Sequence, residues 1–503
     1  MSESLGYLLQ GFAAAATWYN LLYCLIGVAF GMMVGVLPGL GPSAGTALLL
    51  PLTFGMGPAS SIIMLAGIYY GAMYGGTITS VLVNIPGESA SVITCMEGYP
   101  LAQKGRAGVA LGVAAIGSFV GGTIAMIGLV FVGPFVASQA LKFGPPEYFC
   151  LMVMGMTMVV GLMGKSLVKG MTSAFLGLAL SLVGLDNSSG IARFTLGTDY
   201  LLSGLDFICL AIGLFGLSEI FLSLETDLHS EVTIPPIKGL FPTKEERPIV
   251  TKSILRGTVL GFLIGLVPGT NSVIPTILSY SLEKKLSKHP EKFGTGVVEG
   301  VSGPETANNA YCGGSLIPLF TLGIPTSPTI AILLGAFVMH GLQPGPMLFQ
   351  ENPDVVWAVI ASMFIGNTLL LFMNLPMAGF WAKLTHVPNR IMFPIIIVLC
   401  LVGTYSINNS VMDVVMTFLF GILGYLMKKG DFPIAPIILT FVLGDIMEST
   451  LVQSMTMFRG DAVQFVQRPI CAVMLLITAA VLVVSILTTA KRRATYGDEE
   501  IEM

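Results

Sequence analysis

Only 10% of the residues in this chain of 503 are charged, whereas 54% are hydrophobic and the mean hydropathy is +0.84. A soluble domain carries about 25% charged residues, so this chain cannot cover a folded surface with groups that water solvates. Lipid is therefore the expected solvent for most of the chain. The net charge of −4 gives no reason to expect nucleic-acid binding.

Apolar runs recur along the chain, and a helix that spans the bilayer needs about 20 such residues. The runs predict an all-α polytopic membrane protein with about ten to thirteen crossings. Residues 1–19 are expected to form a short interfacial segment, and the absence of Lys and Arg before Lys104 argues against a secretory signal. The candidate spans are residues 20–37, 60–83, 108–141, 147–163, 166–184, 200–223, 253–268, 302–324, 355–380, 390–405, 410–427, 431–448 and 469–490.

One long polar stretch divides the chain into two nearly equal halves. Basic residues mark the cytoplasmic side of a membrane, so Lys491-Arg492-Arg493 places the C-terminus in the cytoplasm, together with the polar stretch. The predicted organisation is a first repeat at 1–223, a cytoplasmic linker at 224–252, a second repeat at 253–468, and a C-terminal helix and tail at 469–503.

The two halves share motifs in the same order. Gly31-Met-Met-Val-Gly35-Val-Leu-Pro38-Gly39 matches Gly261-Phe-Leu-Ile-Gly265-Leu-Val-Pro268-Gly269. Further on, Gly75-Gly76 before Ile85-Pro86-Gly87 matches Gly313-Gly314 before Ile324-Pro325-Thr326. Two matches in the same order, similarly spaced, indicate a duplication.

The charges that flank the repeats indicate that the halves are inverted. The first repeat's core ends at Lys104 and Arg106, which predicts a cytoplasmic position. The equivalent end of the second, residues 343–354, contains acidic but no basic residues and is expected outside. Inverted repeats are typical of secondary transporters.

Pro and Gly interrupt the apolar runs at four places, where small polar side chains stand beside unwound backbone. We name them the first hairpin tip (38–43), the first break (84–89), the second hairpin tip (268–272) and the second break (323–328). Helix N-termini at such points suit a carboxylate, and free carbonyls suit Na⁺. Proline kinks with ordinary hydroxyl-to-backbone bonds are the alternative explanation.

Acidic residues within the spans are candidates for ion or proton binding. Glu88 follows the Pro-Gly of the first break, and Glu305 lies in the polar run Gly303-Pro-Glu-Thr-Ala-Asn-Asn309. The alternative is that such acids cap helices or lie at the interface. The others are Glu97, Asp206, Glu219, Asp413, Asp445 and Glu448.

These motifs resemble the large membrane subunit, TctA, of tripartite tricarboxylate transporters. The resemblance rests on Gly35-Val-Leu-Pro-Gly-Leu-Gly-Pro42, Tyr69-Tyr-Gly-Ala-Met-Tyr-Gly-Gly-Thr77 and Asn84-Ile-Pro-Gly-Glu-Ser89, and on the second-half motifs at 265–269, 303–309 and 323–327. It implies a permease of the bacterial inner membrane that works with a small four-helix membrane subunit and a periplasmic solute-binding protein. It further implies import of a carboxylate such as citrate, driven by an ion gradient, with an elevator-like motion.

The expected function is therefore cation-coupled import of di- or tricarboxylates, without enzymatic activity. No cofactor is expected, and no metal beyond a coupling sodium ion. The expected substrate-binding residues are Pro38, Gly39, Ser43, Gly87, Ser89, Gly269, Thr270, Asn271, Pro325, Thr326 and Ser327. The expected ion-binding residues are Asn84, Glu88, Glu305 and Asn308.

Two other functions compete with this one. A stand-alone organic-anion transporter or channel would take up its substrate without the binding protein. An intramembrane enzyme or a passive scaffold is the third possibility, but the sequence contains neither a P-loop nor the HExxH motif that such chemistry uses.

Overall fold

The computed structural model describes residues 2–37, 39–163, 166–186, 189–225, 237, 239–384 and 389–496. Within that part of the chain, nine helices are long and apolar enough to cross a membrane. The chain is thus an all-α polytopic membrane protein, as predicted. The predicted spans that are not among these nine helices are 147–163, 166–184, 200–223 and 302–324. The helix Leu167–Ser181 has only 15 residues and 200–223 is divided among shorter helices, whereas Glu299–Leu322 is long enough but rich in polar residues.

The first half of the chain contains ten α-helices and a two-stranded antiparallel ribbon, β1 (Gly184–Leu185) with β2 (Ala192–Arg193). The helices are α1 (Ser2–Ala15), α2 (Trp18–Val36), α3 (Gly41–Leu49), α4 (Pro58–Val83), α5 (Val92–Leu101), α6 (Ala107–Ala140), α7 (Pro145–Met163), α8 (Leu167–Ser181), α9 (Phe207–Ala211) and α10 (Ser218–Ser223). A π-helical turn, Ile212–Leu217, joins α9 to α10.

The second half contains eleven α-helices. They are α11 (Arg247–Gly265), α12 (Val273–Leu286), α13 (Glu299–Leu322), α14 (Pro328–Met339), α15 (Leu348–Glu351), α16 (Pro353–Leu384), α17 (Asn389–Asn408), α18 (Val411–Lys429), α19 (Ala435–Met457), α20 (Gln464–Gln467) and α21 (Pro469–Tyr496). The helix α11 begins at Arg247, inside the polar stretch predicted as linker, because Pro248 is well placed in a first helical turn.

Rows of glycines, here called glycine ridges, allow the backbones of paired central helices to touch. A Cβ on Gly27 would lie 2.3 Å from the Met64 oxygen of α4, and one on Gly35 would lie 2.2 Å from the Ala72 oxygen. The helix pair α11 and α13 is built in the same way, since a Cβ on Gly261 would lie 2.2 Å from the Ala307 oxygen. Small residues at four-residue spacing allow this approach between membrane helices.

The helices form a core bundle and a peripheral bundle. The core bundle contains α1, α2, α4, α5, α6, α11, α12, α13 and α16, in which α13 packs on α6 and α4 packs on α16. The peripheral bundle contains α7, α8, α9, α10, α17, α18, α19 and α21, in which α8 packs on α19 and α18 packs on α10.

The helices α3 and α14 connect the two bundles. The helix α3 packs against the π-helical turn 212–217, and α14 packs against α19. Among the described residues, α5 and α12 make no comparable contact with the peripheral bundle. The core bundle is therefore attached to its surroundings asymmetrically.

An ion pair lies where the first repeat's core meets the start of α11. The Arg106 guanidinium donates to both carboxylate oxygens of Glu246, at 2.8 and 2.7 Å. This pairing lowers the pKa of Glu246. Two segments that lie 140 residues apart in sequence are thereby joined at one end of the core bundle.

Candidate functional site

The first break forms where α4 ends in a left-handed residue. Asn84 caps α4 at φ 60° and ψ 30°, a conformation that asparagine tolerates better than most residues. Its side chain is exposed, as is Ser89. Asn84 therefore has a structural reason to be asparagine, and its role as an ion ligand stays a prediction.

Gly87 lets the first break lie directly against two helices. A Cβ there would lie 1.9 Å from the Gly35 oxygen of α2 and 2.7 Å from the Cα of Gly76 in α4. Because no side chain fits into that space, the backbone of the first break packs directly on α2 and α4 and has little room to move. Glu88, the next residue, is consequently placed inside the core bundle.

The Glu88 carboxylate is 5% exposed and accepts hydrogen bonds from neutral donors. Its Oε2 accepts from the Ala90 backbone N–H at 2.8 Å, and its Oε1 accepts from Asn308 Nδ2 at 3.2 Å. The Asn308 Oδ1 atom is buried and has no hydrogen-bond partner among the described residues. Two predicted ion-binding residues, 220 positions apart in sequence, are thus in contact.

Glu305 lies on the same helix as Asn308 and is 1% exposed. Its Oε2 accepts from the Thr77 hydroxyl at 2.6 Å, and its Oε1 accepts from the Thr94 hydroxyl. This carboxylate therefore connects α13 with α4 and α5. Within the described part of the chain, neither Glu88 nor Glu305 forms an ion pair with a basic residue.

The second break repeats the backbone pattern of the first with different side chains. Gly323 caps α13 at φ 68° and ψ 23°, close to the dihedrals of Asn84. Ser327 then caps α14 at φ −144° and ψ 167°, as Glu88 does at φ −142° and ψ 165° in the first break. The position of the buried carboxylate in one break is thus occupied by a hydroxyl in the other.

Thr326 is the most enclosed polar residue of the second break. It is 0% exposed, and its hydroxyl lies near the Tyr311 hydroxyl without a hydrogen bond of good geometry among the described residues. A small cavity there is lined by Pro325, Thr326, Ser327, Pro328, Ala331, Ala435 and Leu439. A helix N-terminus with a free hydroxyl beside it suits an anionic group.

The second hairpin tip is connected to α13 by a tyrosine. The Tyr311 hydroxyl donates to the Thr270 carbonyl at 3.0 Å. The Thr270 hydroxyl donates to Val267 O at 2.8 Å, and Asn271 Oδ1 accepts from the Val273 N–H at 3.1 Å. Gly269 adopts a left-handed conformation at φ 78°. Some of the hydrogen-bonding groups of the tip therefore stabilise its own turn and are not free to bind a ligand.

The first hairpin tip lies against the second break. Ser43 Oγ and Thr329 Oγ1 are 2.9 Å apart, so the N-termini of α3 and α14 meet. Gly39 is exposed at φ 91°, and Pro38 lies outside the described residues. The structure thus brings Ser43 against Thr329, two residues after Ser327 of the second break, and brings Glu88 together with Asn308 at another place.

Most of the other acidic residues have structural partners. Glu97 accepts from the backbone N–H groups of Gly296 and Val297 and from the Tyr280 hydroxyl. Three more have side-chain partners: Glu219 at the start of α10 pairs with Lys428, Asp413 near the start of α18 accepts from Tyr200, and Glu448 within α19 pairs with Arg193 of β2. For these residues the capping and interfacial explanation holds.

The sequence interpretation did not identify the hydroxyl partners of the site. Thr77, Thr94, Thr329 and Tyr311 each contact a predicted site residue. Threonine hydroxyls in membrane helices usually bond to their own backbone, so the sequence carried no signal for them. Tyr311 could have been noticed, because it continues the polar run that begins at Glu305.

The fold and these clusters define a class of protein: a multi-pass membrane protein whose interrupted helices meet around buried carboxylates and unpaired polar groups. The model of the tripartite tricarboxylate transporter TctA family matches residues 21–439, and the chain belongs to that family. The family is one of transporter subunits.

Two relatives from Agrobacterium vitis are similar to this chain. One, an uncharacterised 52.8 kDa protein in the TAR-I ttuC' 3' region, is 45% identical over 502 residues, covering 99% of this chain and all of the relative. The other, an uncharacterised protein in the TAR-II ttuC' 3' region, is 44% identical over 242 residues, covering 48% of this chain and all of the relative. No solved structure matches the chain.

Proposed function

We propose that this chain is the large permease subunit of a binding-protein-dependent secondary transporter that imports di- or tricarboxylates such as citrate. The energy would come from a gradient of Na⁺ or H⁺. One observation carries the proposal: α13 bears Glu305 and Asn308, ends at Leu322 and leads directly into Thr326 and Ser327 of the second break. A single helix thus joins groups suited to a cation with groups suited to a carboxylate.

The substrate would bind where the first hairpin tip meets the second break. Ser43, Thr326 and Ser327 supply hydroxyls there, and α3 and α14 supply N-terminal N–H groups. Gly39, Gly269, Thr270, Asn271 and Pro325 would shape this site, and the Gly87 and Ser89 region would complete it from the other side. The coupling ion would bind in the region of Glu88, Asn308 and Glu305.

We infer two partners from the family. A small four-helix membrane subunit would stabilise the permease, and a periplasmic binding protein would deliver the carboxylate. We propose a bacterial inner membrane from the family, and a cytoplasmic C-terminus because Lys428-Lys429 and Lys491-Arg492-Arg493 are expected on that side.

The halves would be inverted repeats in which α2 to α6 correspond in order to α11, α12, α13, α14 and α16. The contacts support this pairing, because α6 packs on α13 as α16 packs on α4. The peripheral helices follow the same rule, because α8 packs on α19 as α18 packs on α10. In both bundles, a helix of one half packs on a helix of the other half, and the two equivalent helices make the same contact in reverse.

The two breaks differ in exposure, and this asymmetry supports an alternating-access motion. Asn84 and Ser89 in the first break are exposed, whereas the equivalent Gly323 is buried and Pro328 is half-buried in the second. Thr326 is buried beside α14 and α19. We propose that the site is open to the cytoplasm here. An elevator-like movement of the core bundle would open the second break to the outside.

Cysteine accessibility tests this state. In a background without the seven native cysteines, we expect Ser89→Cys to react with a membrane-impermeant maleimide in inside-out vesicles and not in right-side-out vesicles. Thr326→Cys, from the equivalent region of the other half, is the control and should react slowly from the cytoplasmic side, because it is buried. Equal labelling of both cysteines from that side would contradict the proposed state.

Transport itself is tested by uptake of radiolabelled citrate into cells that lack citrate carriers. The chain is expressed with the small subunit, with and without the binding protein, and with and without Na⁺. We expect uptake to require the binding protein and a cation gradient. Uptake by this chain alone would show a stand-alone carrier, and failure with every di- and tricarboxylate tried would overturn the substrate class.

A further inference from the structure

We propose that the Glu88 carboxylate and the Asn308 amide oxygen ligate one monovalent metal cation, sodium, whereas Glu305 is a positioning residue outside that ligand set. This inference rests on the proposed function only in taking the bound ion as the coupling ion. It narrows the four predicted ion-binding residues to two that are in contact.

The amide of Asn308 provides the first argument. Its Nδ2 donates to Glu88 Oε1 at 3.2 Å, and its Oδ1 is buried without a partner. Exchanging the amide nitrogen and oxygen would not remove the problem, because one polar atom would still be unpaired. Buried polar atoms in folded proteins almost always have a partner, so an unpaired oxygen beside a carboxylate indicates a ligand.

The uncompensated charge provides the second argument. Glu88 accepts one bond at each carboxylate oxygen, and each oxygen retains a second lone pair. Within the described residues no Lys, Arg or His pairs with it. A buried charge needs a partner of opposite sign, and one monovalent cation would neutralise this carboxylate.

The ligand chemistry selects a hard cation. A carboxylate and an amide oxygen suit ions that prefer oxygen ligands. Among the described residues no group of three His, Cys, Asp or Glu side chains is arranged to hold a metal. A transition-metal site is therefore not what these residues build.

Glu305 differs from Glu88 in how its oxygens are used. Each oxygen takes the proton of a threonine hydroxyl, from Thr77 on α4 and from Thr94 on α5. The carboxylate thereby holds α13 against both helices, next to the position of Glu88. Its replacement should change the position of the ligands without removing a ligand.

The test is cation-dependent unfolding of the purified full-length chain, without carboxylate or binding protein. NaCl is titrated at constant ionic strength against choline chloride. A ligand that binds only the folded state stabilises that state. We therefore expect sodium to raise the unfolding midpoint of the wild-type protein, and choline to leave that midpoint unchanged. We expect Asn308→Ala and Glu88→Gln to raise the half-maximal sodium concentration by at least about tenfold.

Asn309→Ala is the matched control, because Asn309 is also buried in α13 but donates to Ser118 and to the Glu305 carbonyl. Asn309→Ala should keep the sodium response. Glu305→Gln should also still be stabilised by sodium, but its unfolding midpoint should be lower than that of the wild type. If Asn308→Ala does not fold, Asn308→Ser and direct binding of radioactive sodium replace it. An unchanged sodium response in both Asn308 variants would overturn the proposal, as would a wild type that sodium does not stabilise.

These readouts do not depend on transport. A sodium response without citrate uptake would leave the cation site standing and remove the proposed substrate. Citrate uptake without any sodium response would support the proposed substrate and remove the cation site. It would also point to protons as the coupling ion.

Discussion

The replacement Gly35→Val is expected to remove most of the folded protein from detergent extracts. A Cβ at this position would lie 2.2 Å from the Ala72 oxygen, which is backbone and cannot rotate away. Two further glycines of the ridge, Gly31 and Gly75, meet backbone oxygens at 2.5 and 2.4 Å in the same way. Valine at position 35 must therefore push α2 away from α4 along much of their contact.

The effect should exceed the overpacking cost of about 1–3 kcal/mol that is usual when side chains can rearrange. The Gly35 oxygen also lies where the first break approaches α2, so displacement of α2 reaches the Glu88 region. The measurement is the yield of monodisperse protein by size-exclusion chromatography, followed by the unfolding midpoint. Gly379→Val in α16 is the control, because nothing lies within 4 Å of a Cβ there. Equal yields of the two variants would show that the ridge is not a close contact.

The replacement Thr326→Val is expected to abolish most transport while leaving stability unchanged or higher. Valine has nearly the shape of threonine and removes a buried hydroxyl that lacks a partner. An unpaired buried polar group costs about 1–3 kcal/mol, so its removal cannot destabilise the protein by loss of a hydrogen bond. A hydroxyl that binds the substrate would be lost at the same time, and uptake should fall by about tenfold or more.

The opposite signs of the two effects separate a binding role from a structural one. Thr321→Val is the matched control, because Thr321 is also buried in this region but donates to the Ile317 carbonyl of its own helix at 2.7 Å. That variant should transport normally. Uptake and unfolding midpoints are measured on the same membranes, so that a binding role of Thr326 can be distinguished from a structural one. Normal uptake by Thr326→Val would remove the second break from the substrate site.

Much of this architecture could be predicted from the sequence, because lipid imposes strong rules. Long apolar runs gave the principal helices, and the Pro and Gly motifs located all four interruptions. The short helices α3, α12 and α14 were not predicted. They have 9, 14 and 12 residues, too few to register as spans of about 20.

The candidate site was only partly predictable. Glu88 and Asn308 could be selected separately as polar residues in apolar surroundings, but their contact joins positions 220 apart. No local pattern encodes such a contact, because it depends on how α4 and α13 are packed. The roles of Thr77 and Thr94 at Glu305 were hidden for the same reason.

The one-sided attachment of the core bundle has an energetic consequence. If the halves exchange roles during transport, α5 and α12 would gain contacts of the kind that α3 and α14 lose. The two end states would then be nearly degenerate, with their residual free-energy difference set by positions where the halves carry different residues, such as Glu88 and Ser327. A membrane potential supplies about 2.3 kcal/mol per charge for each 100 mV. Between nearly degenerate states, an input of that size is enough to set the direction of net movement.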